Sequence, residues 1–278
     1  VLMPLLFFLL ISLALWALQL EGAQKGLEYY LYPDWSKLNS TVFIEALTQA
    51  FFSLCIGEAV LVTYGSLADK NSNLLVAASW AAFFDTAVAF LAGLMIFPMI
   101  FALQIEPVSG IELAFQVVPK ALEKVYGGQV IAVSFLLILV FAGITTCIAL
   151  MEVTTTALTN KFHLSRKKSV LIVALLATPI ALAVCLSKGA SSLLSDFELS
   201  CFQTKGLYES MDWIWGSLGM VLASLALTLF LAWKWDLKNL AKELEINSPF
   251  FTRISSLWIF HVRFTVPILI IFILYGII

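Results

Sequence analysis

The sequence predicts an all-α fold, a polytopic bundle of membrane-spanning helices. Three observations predict it. Hydrophobic residues make up 61% of the chain and charged residues 12%, where ordinary soluble domains carry roughly 25% charge. Mean hydropathy is +0.98. The apolar residues gather into seven runs, most of them near the roughly 20 residues that a helix needs to cross a bilayer.

The runs lie at about 1–20, 40–67, 74–104, 129–160, 170–187, 213–235 and 254–278. The first, VLMPLLFFLLISLALWAL, has neither the basic start nor the small-residue cleavage site of a signal peptide. A chain that begins inside a span reads as the C-terminal piece of something longer, a first codon other than ATG being the other explanation.

The second run, VFIEALTQAFFSLCIGEAVLVTYGSL, carries Ser53, Cys55, Gly57 and Glu58 near its centre. A glutamate at that depth costs at least about 2.5 kcal/mol and is tolerated where it faces protein or a watery cavity. Helical hydrogen bonding is expected to break between about Ser53 and Ala59, because unwound backbone is viable in lipid only where it lines a site. A continuous helix with a glycine kink and a buried, neutral glutamic acid is the competing reading.

The third run places Asp85 about a dozen residues from its cytoplasmic start, a functional candidate by depth alone. The fourth contains FAGITTCIALME, in which Ala142, Thr145, Thr146 and Leu150 share one helical face. Hydroxyls and carbonyls of that kind can ligate a hard cation such as sodium. They can equally bond their own helix or glue two helices together. Asp212 stands at the outer mouth of the sixth run.

Basic residues orient the chain. NKFHLSRKKS, after the fourth run, has Lys161, Arg166, Lys167 and Lys168 and no acid, the pattern of a cytoplasmic loop. Alternation then gives nine Lys or Arg to the inside loops and six to the longer outside ones. The outside segments are 21–39, 105–128 and 188–212. The first offers an aromatic cap, YYLYPDWSKL. The second reads as two short helices broken at Val118–Pro119, a possible lid. The third is long and mildly acidic. Ordinary surface packing accounts for all three as well.

Net charge is −2, so nothing argues for nucleic acid. Cys55, Cys147, Cys185 and Cys201 lack metal-type spacing. No nucleophile–base pair or phosphate loop indicates an enzyme.

Taken in order, QAFFSLCIGEAVLVTYGS, DTAVAFLAGLMIFP, FAGITTCIALME, KFHLSRKK and MDWIWG resemble the second half of the neurotransmitter:sodium symporter family, its bacterial amino-acid branch in particular. The resemblance runs along essentially the whole chain. It implies helices five to eleven of a core built from two inverted five-helix repeats. Residues 1–20 would be the last helix of repeat one and 21–39 an external loop. Residues 40–235 would be repeat two, 236–253 a cytoplasmic loop and 254–278 a peripheral span. Helices one to four would be partners outside the chain.

The resemblance also implies site roles. One sodium site would use the Ala142 carbonyl and the Thr145 and Thr146 hydroxyls. The other would use Ser53 and Asp85. Both would be completed by helix one. Phe52, Cys55, Glu58, Thr146 and Leu150 would line the amino-acid substrate. Asp212 would be the acid of the outer gate, with Gln49 beneath it. Five positions depart from the family's pattern. Asp85 replaces an asparagine, and Ala89 replaces a glutamate or serine; Asp85, one turn away, could supply the negative charge instead, which leans toward chloride independence. Glu58 replaces an apolar or aromatic residue. Asn160 and Leu67 replace the acid and tyrosine of the inner gate, which would then be weaker or differently built.

The function implied is sodium-coupled amino-acid symport by alternating access, with Na+ as the coupling ion. The setting would be a lipid bilayer, as a multi-pass protein of the bacterial cell membrane by the family's habit. A decayed, non-transporting fragment and a seven-helix receptor or channel are the alternatives.

Overall fold

The structure, a computed structural model, describes residues 2–69, 72–105, 110, 113–123, 125–199, 204–245 and 248–277. Lys70, Lys124 and Cys201 lie outside the described residues, as do 106–109 and 111–112 of the second external segment. The chain divides into two compact units, Val1–Leu38 with Trp80–Ile148, and Asn39–Ser79 with Ala149–Ile278.

The first unit holds α1 (Leu2–Ala17) and α2 (Ala23–Leu31), followed by a short 3-10 turn at Trp35–Lys37. It also holds most of α5 (Leu74–Ala102) and the first part of α7 (Gly128–Phe162), which are labelled here in chain order after α3 and α4 below. Leu6, Leu10, Leu13 and Ala17 recur at helical spacing along α1 and are buried. They form one core with Met95, Met99 and Ile100 of α5 and Phe135 and Ile138 of α7.

Helix α2 is clamped to the C-terminal half of α5 by aromatic and glycine contacts. Tyr30 stacks on Phe97 with ring centroids 5.0 Å apart. Its hydroxyl donates to the Phe90 carbonyl at 3.4 Å. Gly26 lies against the Phe97 and Pro98 backbone, where a side chain has no room. The external aromatics thus have a defined seat beside Pro98, which supplies no backbone N–H.

The external segment corrects one expectation. Leu113–Val117 is a π-helical turn that runs directly into α6 (Val118–Leu122), with no break at Val118–Pro119. Pro119 thus lies inside a continuous helical run, two residues past the π turn. Val118 and Leu122 are fully buried in the core of the first unit.

The second unit begins with α3 (Ser40–Ser53) and α4 (Val60–Leu67). After α7 come α8 (Arg166–Leu186), α9 (Ser192–Ser195) and a two-stranded hairpin, β1 (Glu198–Leu199) with β2 (Thr204–Lys205). The chain then runs through α10 (Leu207–Met211), a π-helical stretch at Asp212–Gly219 and α11 (Met220–Trp233). Next are α12 (Leu237–Glu245), α13 (Pro249–Phe260), a π turn at His261–Thr265 and α14 (Val266–Ile277). Met220 and Val221 of α11 pack with Ile270 and Ile273 of α14, and Leu47 and Phe51 of α3 join them. Helix α12, in the segment after α11, is amphipathic, with Leu237 and Ala241 buried. Asp236 caps it by accepting from the Lys238 N–H at 3.0 Å.

Among the described residues, five helices are long and apolar enough to cross a membrane: Leu74–Ala102, Gly128–Phe162, Arg166–Leu186, Leu207–Trp233 and Phe250–Ile277. Leu2–Ala17 is apolar but shorter. The remaining apolar run is the pair α3 and α4, interrupted between Ser53 and Val60. The fold is a polytopic, all-α membrane bundle.

Candidate functional site

The interruption has a specific backbone. Helix α3 closes with the Leu54 N–H on the Ala50 carbonyl at 3.2 Å, and α4 restarts with the Thr63 N–H on Ala59 at 2.9 Å. Between them the i→i−4 pattern gives way. Ile56 bonds five residues back to Phe51, and Cys55 and Glu58 bond three back to Phe52 and Cys55. Cys55, Gly57 and Ala59 have φ of 51°, 98° and 60°. The left-handed region is costly for Cys and Ala and persists only where packing enforces it. The packing here is on α11: Gly57 is pressed onto the Met220 carbonyl and Ser224 Oγ. Glu58 is half-buried immediately after that contact.

In the first unit, α1, α5 and α7 enclose a cleft of about 710 Å³. Its polar lining is Asp85, Thr145 and Thr146, together with Ala142, and Met3, Phe7 and Phe84 form apolar walls. The Thr145 hydroxyl lies 3.0 Å from the Phe141 carbonyl and 2.9 Å from that of Ala142. Its proton is therefore committed to its own helix, and its lone pairs remain as acceptors. A carboxylate and two hydroxyl oxygens on adjacent helices, in an otherwise apolar cleft, are groups suited to a hard cation. Sequence reasoning did not anticipate Met3, Pro4 and Phe7 as walls, because uniform apolarity in α1 gives no sign of which face borders a cleft.

A second cleft, of about 370 Å³, lies in the second unit between α3, the Asp212–Gly219 π stretch and α14. Gln49, Phe52 and Asp212 line it together. Glu45, Thr48 and Ser217 line it too and were not singled out from sequence. The signal for Glu45 was its position one helical turn before Gln49.

A third cleft, of about 140 Å³, gathers Leu67, Glu152, Thr155, Thr156, Thr159, Asn160 and Arg166. Arg166 Nη2 donates to Glu152 Oε2 at 2.6 Å, and Thr156 Oγ1 donates to Glu152 Oε1 at 3.2 Å. The two inner-gate departures, Leu67 and Asn160, thus lie beside an ion pair that sequence reasoning missed. Its trace was the spacing of Glu152, Thr155, Thr156, Thr159 and Asn160 along one face of α7.

The structure thus brings Asp85 together with Ala142, Thr145 and Thr146, and Gln49 together with Phe52 and Asp212. Ser53, Cys55 and Glu58 lie on the α3–α4 interruption in the second unit. Leu150 is an exposed residue of α7 and lines none of the three clefts.

Known proteins with this pattern agree with one another. The description "Sodium:neurotransmitter symporter family" matches residues 1–278. An uncharacterized sodium-dependent transporter of Haemophilus influenzae is 33% identical over 271 residues, covering 97% of this chain and 57% of the relative. The uncharacterized sodium-dependent transporter YhdH of Bacillus subtilis is 31% identical over 278 residues, covering 100% of this chain and 60% of the relative. The crystal structure of MhsT in complex with L-phenylalanine superposes with a TM-score of 0.85 at 34% identity, covering 100% of this chain and 61% of that one. The chain therefore spans about three-fifths of the length of these relatives. On the family match along its whole length, the chain belongs to the sodium:neurotransmitter symporter family.

Proposed function

We propose that this chain is the part of a sodium-coupled amino-acid symporter that holds ion and substrate, and that it works by alternating access. The observation that carries the reading is the cleft in which Asp85, Ala142, Thr145 and Thr146 meet. Two relatives named as sodium-dependent transporters support sodium as the coupled ion. The L-phenylalanine bound to MhsT supports an amino acid as the solute.

In this reading Ala142, Thr145 and Thr146 ligate one sodium ion, while Asp85 and Ser53 serve a second. The interruption, through Phe52, Cys55 and Glu58, and Leu150 of α7 face the amino acid. Asp212 and Gln49 act at the outer gate. Residues 40–235 form the second five-helix repeat, and the setting is the inner membrane of a bacterium. A dehydrated cation takes about six oxygen ligands. The residues assigned to either ion offer fewer, so helices one to four supply the remainder.

The test is uptake into proteoliposomes. The natural polypeptide carrying this chain accumulates an amino acid when an inward sodium gradient is imposed, and not with potassium in its place. The 278 residues reconstituted alone do not. Uptake indifferent to sodium would overturn the symport reading, and robust coupled uptake by the 278 residues alone would overturn the need for further helices.

A further inference from the structure

Among the described residues Glu58 has no cation to answer it. Among the described residues its carboxylate takes part in no ion pair and no side-chain hydrogen bond. No Lys, Arg or His occurs in residues 39–69, and none in 72–119, 128–160, 169–187 or 206–233. The last span carries Arg253, His261 and Arg263; Arg263 is directed at the Ala232 carbonyl, 3.3 Å from its Nε, and His261 Nδ1 lies 2.8 Å from the Leu257 carbonyl. A carboxylate at such depth is retained where a partner meets it.

Its position is also held firmly. The preceding residue, Gly57, has φ of 98° and no room for a side chain against Met220 and Ser224 of α11. The carboxylate therefore projects from a fixed point in the unwound segment rather than from a mobile loop. Interrupted spans place solute at such points.

The chemistry around it separates two kinds of cation. Asp85 shares its cleft with two hydroxyls and the Ala142 residue, the surroundings a hard, small ion requires. The residues flanking Glu58 in sequence, Cys55, Ile56, Gly57, Ala59, Val60 and Leu61, carry no side-chain oxygen of their own, and the Ser224 hydroxyl beside Gly57 donates to the Met220 carbonyl at 2.9 Å. Such surroundings suit an ammonium or guanidinium group that arrives on its own methylene stem, the stem packing on apolar neighbours while the head meets the carboxylate.

Resting on the symport reading above, we infer that Glu58 selects amino acids whose side chain ends in a cation. Lysine, ornithine and arginine are the class. A neutral glutamic acid that only hydrogen-bonds, or a carboxylate paired with a basic residue elsewhere in the polypeptide, would give no such preference.

The experiment compares lysine with norleucine, which has the same stem length without the ammonium, in proteoliposomes of the natural polypeptide under a sodium gradient. Wild-type protein takes up lysine with an advantage over norleucine of at least about tenfold, the equivalent of 1.4 kcal/mol. Glu58→Gln moves the lysine-to-norleucine ratio toward norleucine by at least about tenfold on the same scale. Sodium-driven norleucine uptake that excess lysine does not displace would overturn the inference and leave the symport reading standing. An unchanged ratio in the Gln variant would also overturn it. Absence of sodium-driven uptake of every amino acid tested would overturn both. If the variant does not reach the membrane, the wild-type ratio still decides.

Discussion

Arg166 Nη2 lies 2.6 Å from Glu152 Oε2, joining the first turn of α8 to the C-terminal half of α7 across fourteen residues of sequence. The Glu152 side chain is 15% exposed and that of Arg166 69% exposed, so the pair straddles a boundary between protein and water. Thr156 holds the other carboxylate oxygen. The carboxylate is thus fixed by its own helix, and the guanidinium reaches in to it.

This arrangement predicts a modest, salt-sensitive contribution. Arg166→Ala is expected to destabilise the folded protein by about 1 kcal/mol, the range for partly exposed pairs. Arg166→Lys should restore part of that. Thermal melting in detergent at low and high salt checks it. A loss that high salt does not reduce would mean that the side chain acts through packing instead.

Gly57 gives a sharper expectation. Its φ of 98° and its contact with the Met220 carbonyl leave a methyl group no place to go. Gly57→Ala should cost about 3 kcal/mol, combining a strained backbone with overpacking. Gly65, in α4, has nothing within 4 Å of the corresponding position. Gly65→Ala should therefore be neutral or slightly stabilising, since Ala is the better helix former by about 1 kcal/mol. Melting temperatures of the two variants, compared side by side, settle the contrast.

Lys188 ties together the two ends of the segment between α8 and α10. Lys188, just beyond α8, pairs with Glu209 and sits 4.2 Å from the centroid of the Tyr208 ring. The Tyr208 N–H also donates to Ser187 Oγ at 3.2 Å. Lys188→Ala should cost about 1 kcal/mol, the sum of a half-exposed pair and a cation–π contact. It should also speed protease cleavage within 188–206. Lys188→Arg, which keeps both contacts, should resist cleavage like the wild type.

The helical content and its seven runs were legible because apolar composition alone commits a chain to helices in lipid. The interruption was legible in Gly57 and Glu58, a flexible residue and a costly one side by side in an apolar run. Grouping Gln49 with Asp212, more than 160 residues apart, required the family resemblance. The π turns at Asp212–Gly219 and His261–Thr265 left no compositional trace, since one residue of extra width changes no pattern of polarity. Glu45 was hidden because an acid near a helix start is usually solvated. The Glu152–Arg166 pair depends on how tightly α7 turns into α8, which residue types do not encode. Pro119 misled because proline usually breaks a helix, whereas here it follows a π turn that runs straight into α6.

The account rests most heavily on the cleft shared by Asp85, Thr145 and Thr146. Its most direct test is the sodium dependence of amino-acid uptake by the natural polypeptide in proteoliposomes, with both threonines replaced by valine. Valine keeps the shape and removes the ligating oxygens. The account predicts that the sodium concentration for half-maximal uptake rises by at least about tenfold, equivalent to 1.4 kcal/mol of lost ligation. Replacing both by serine, which keeps the oxygens, should leave it closer to wild type. Uptake by the double valine variant with the wild-type sodium dependence would contradict the account.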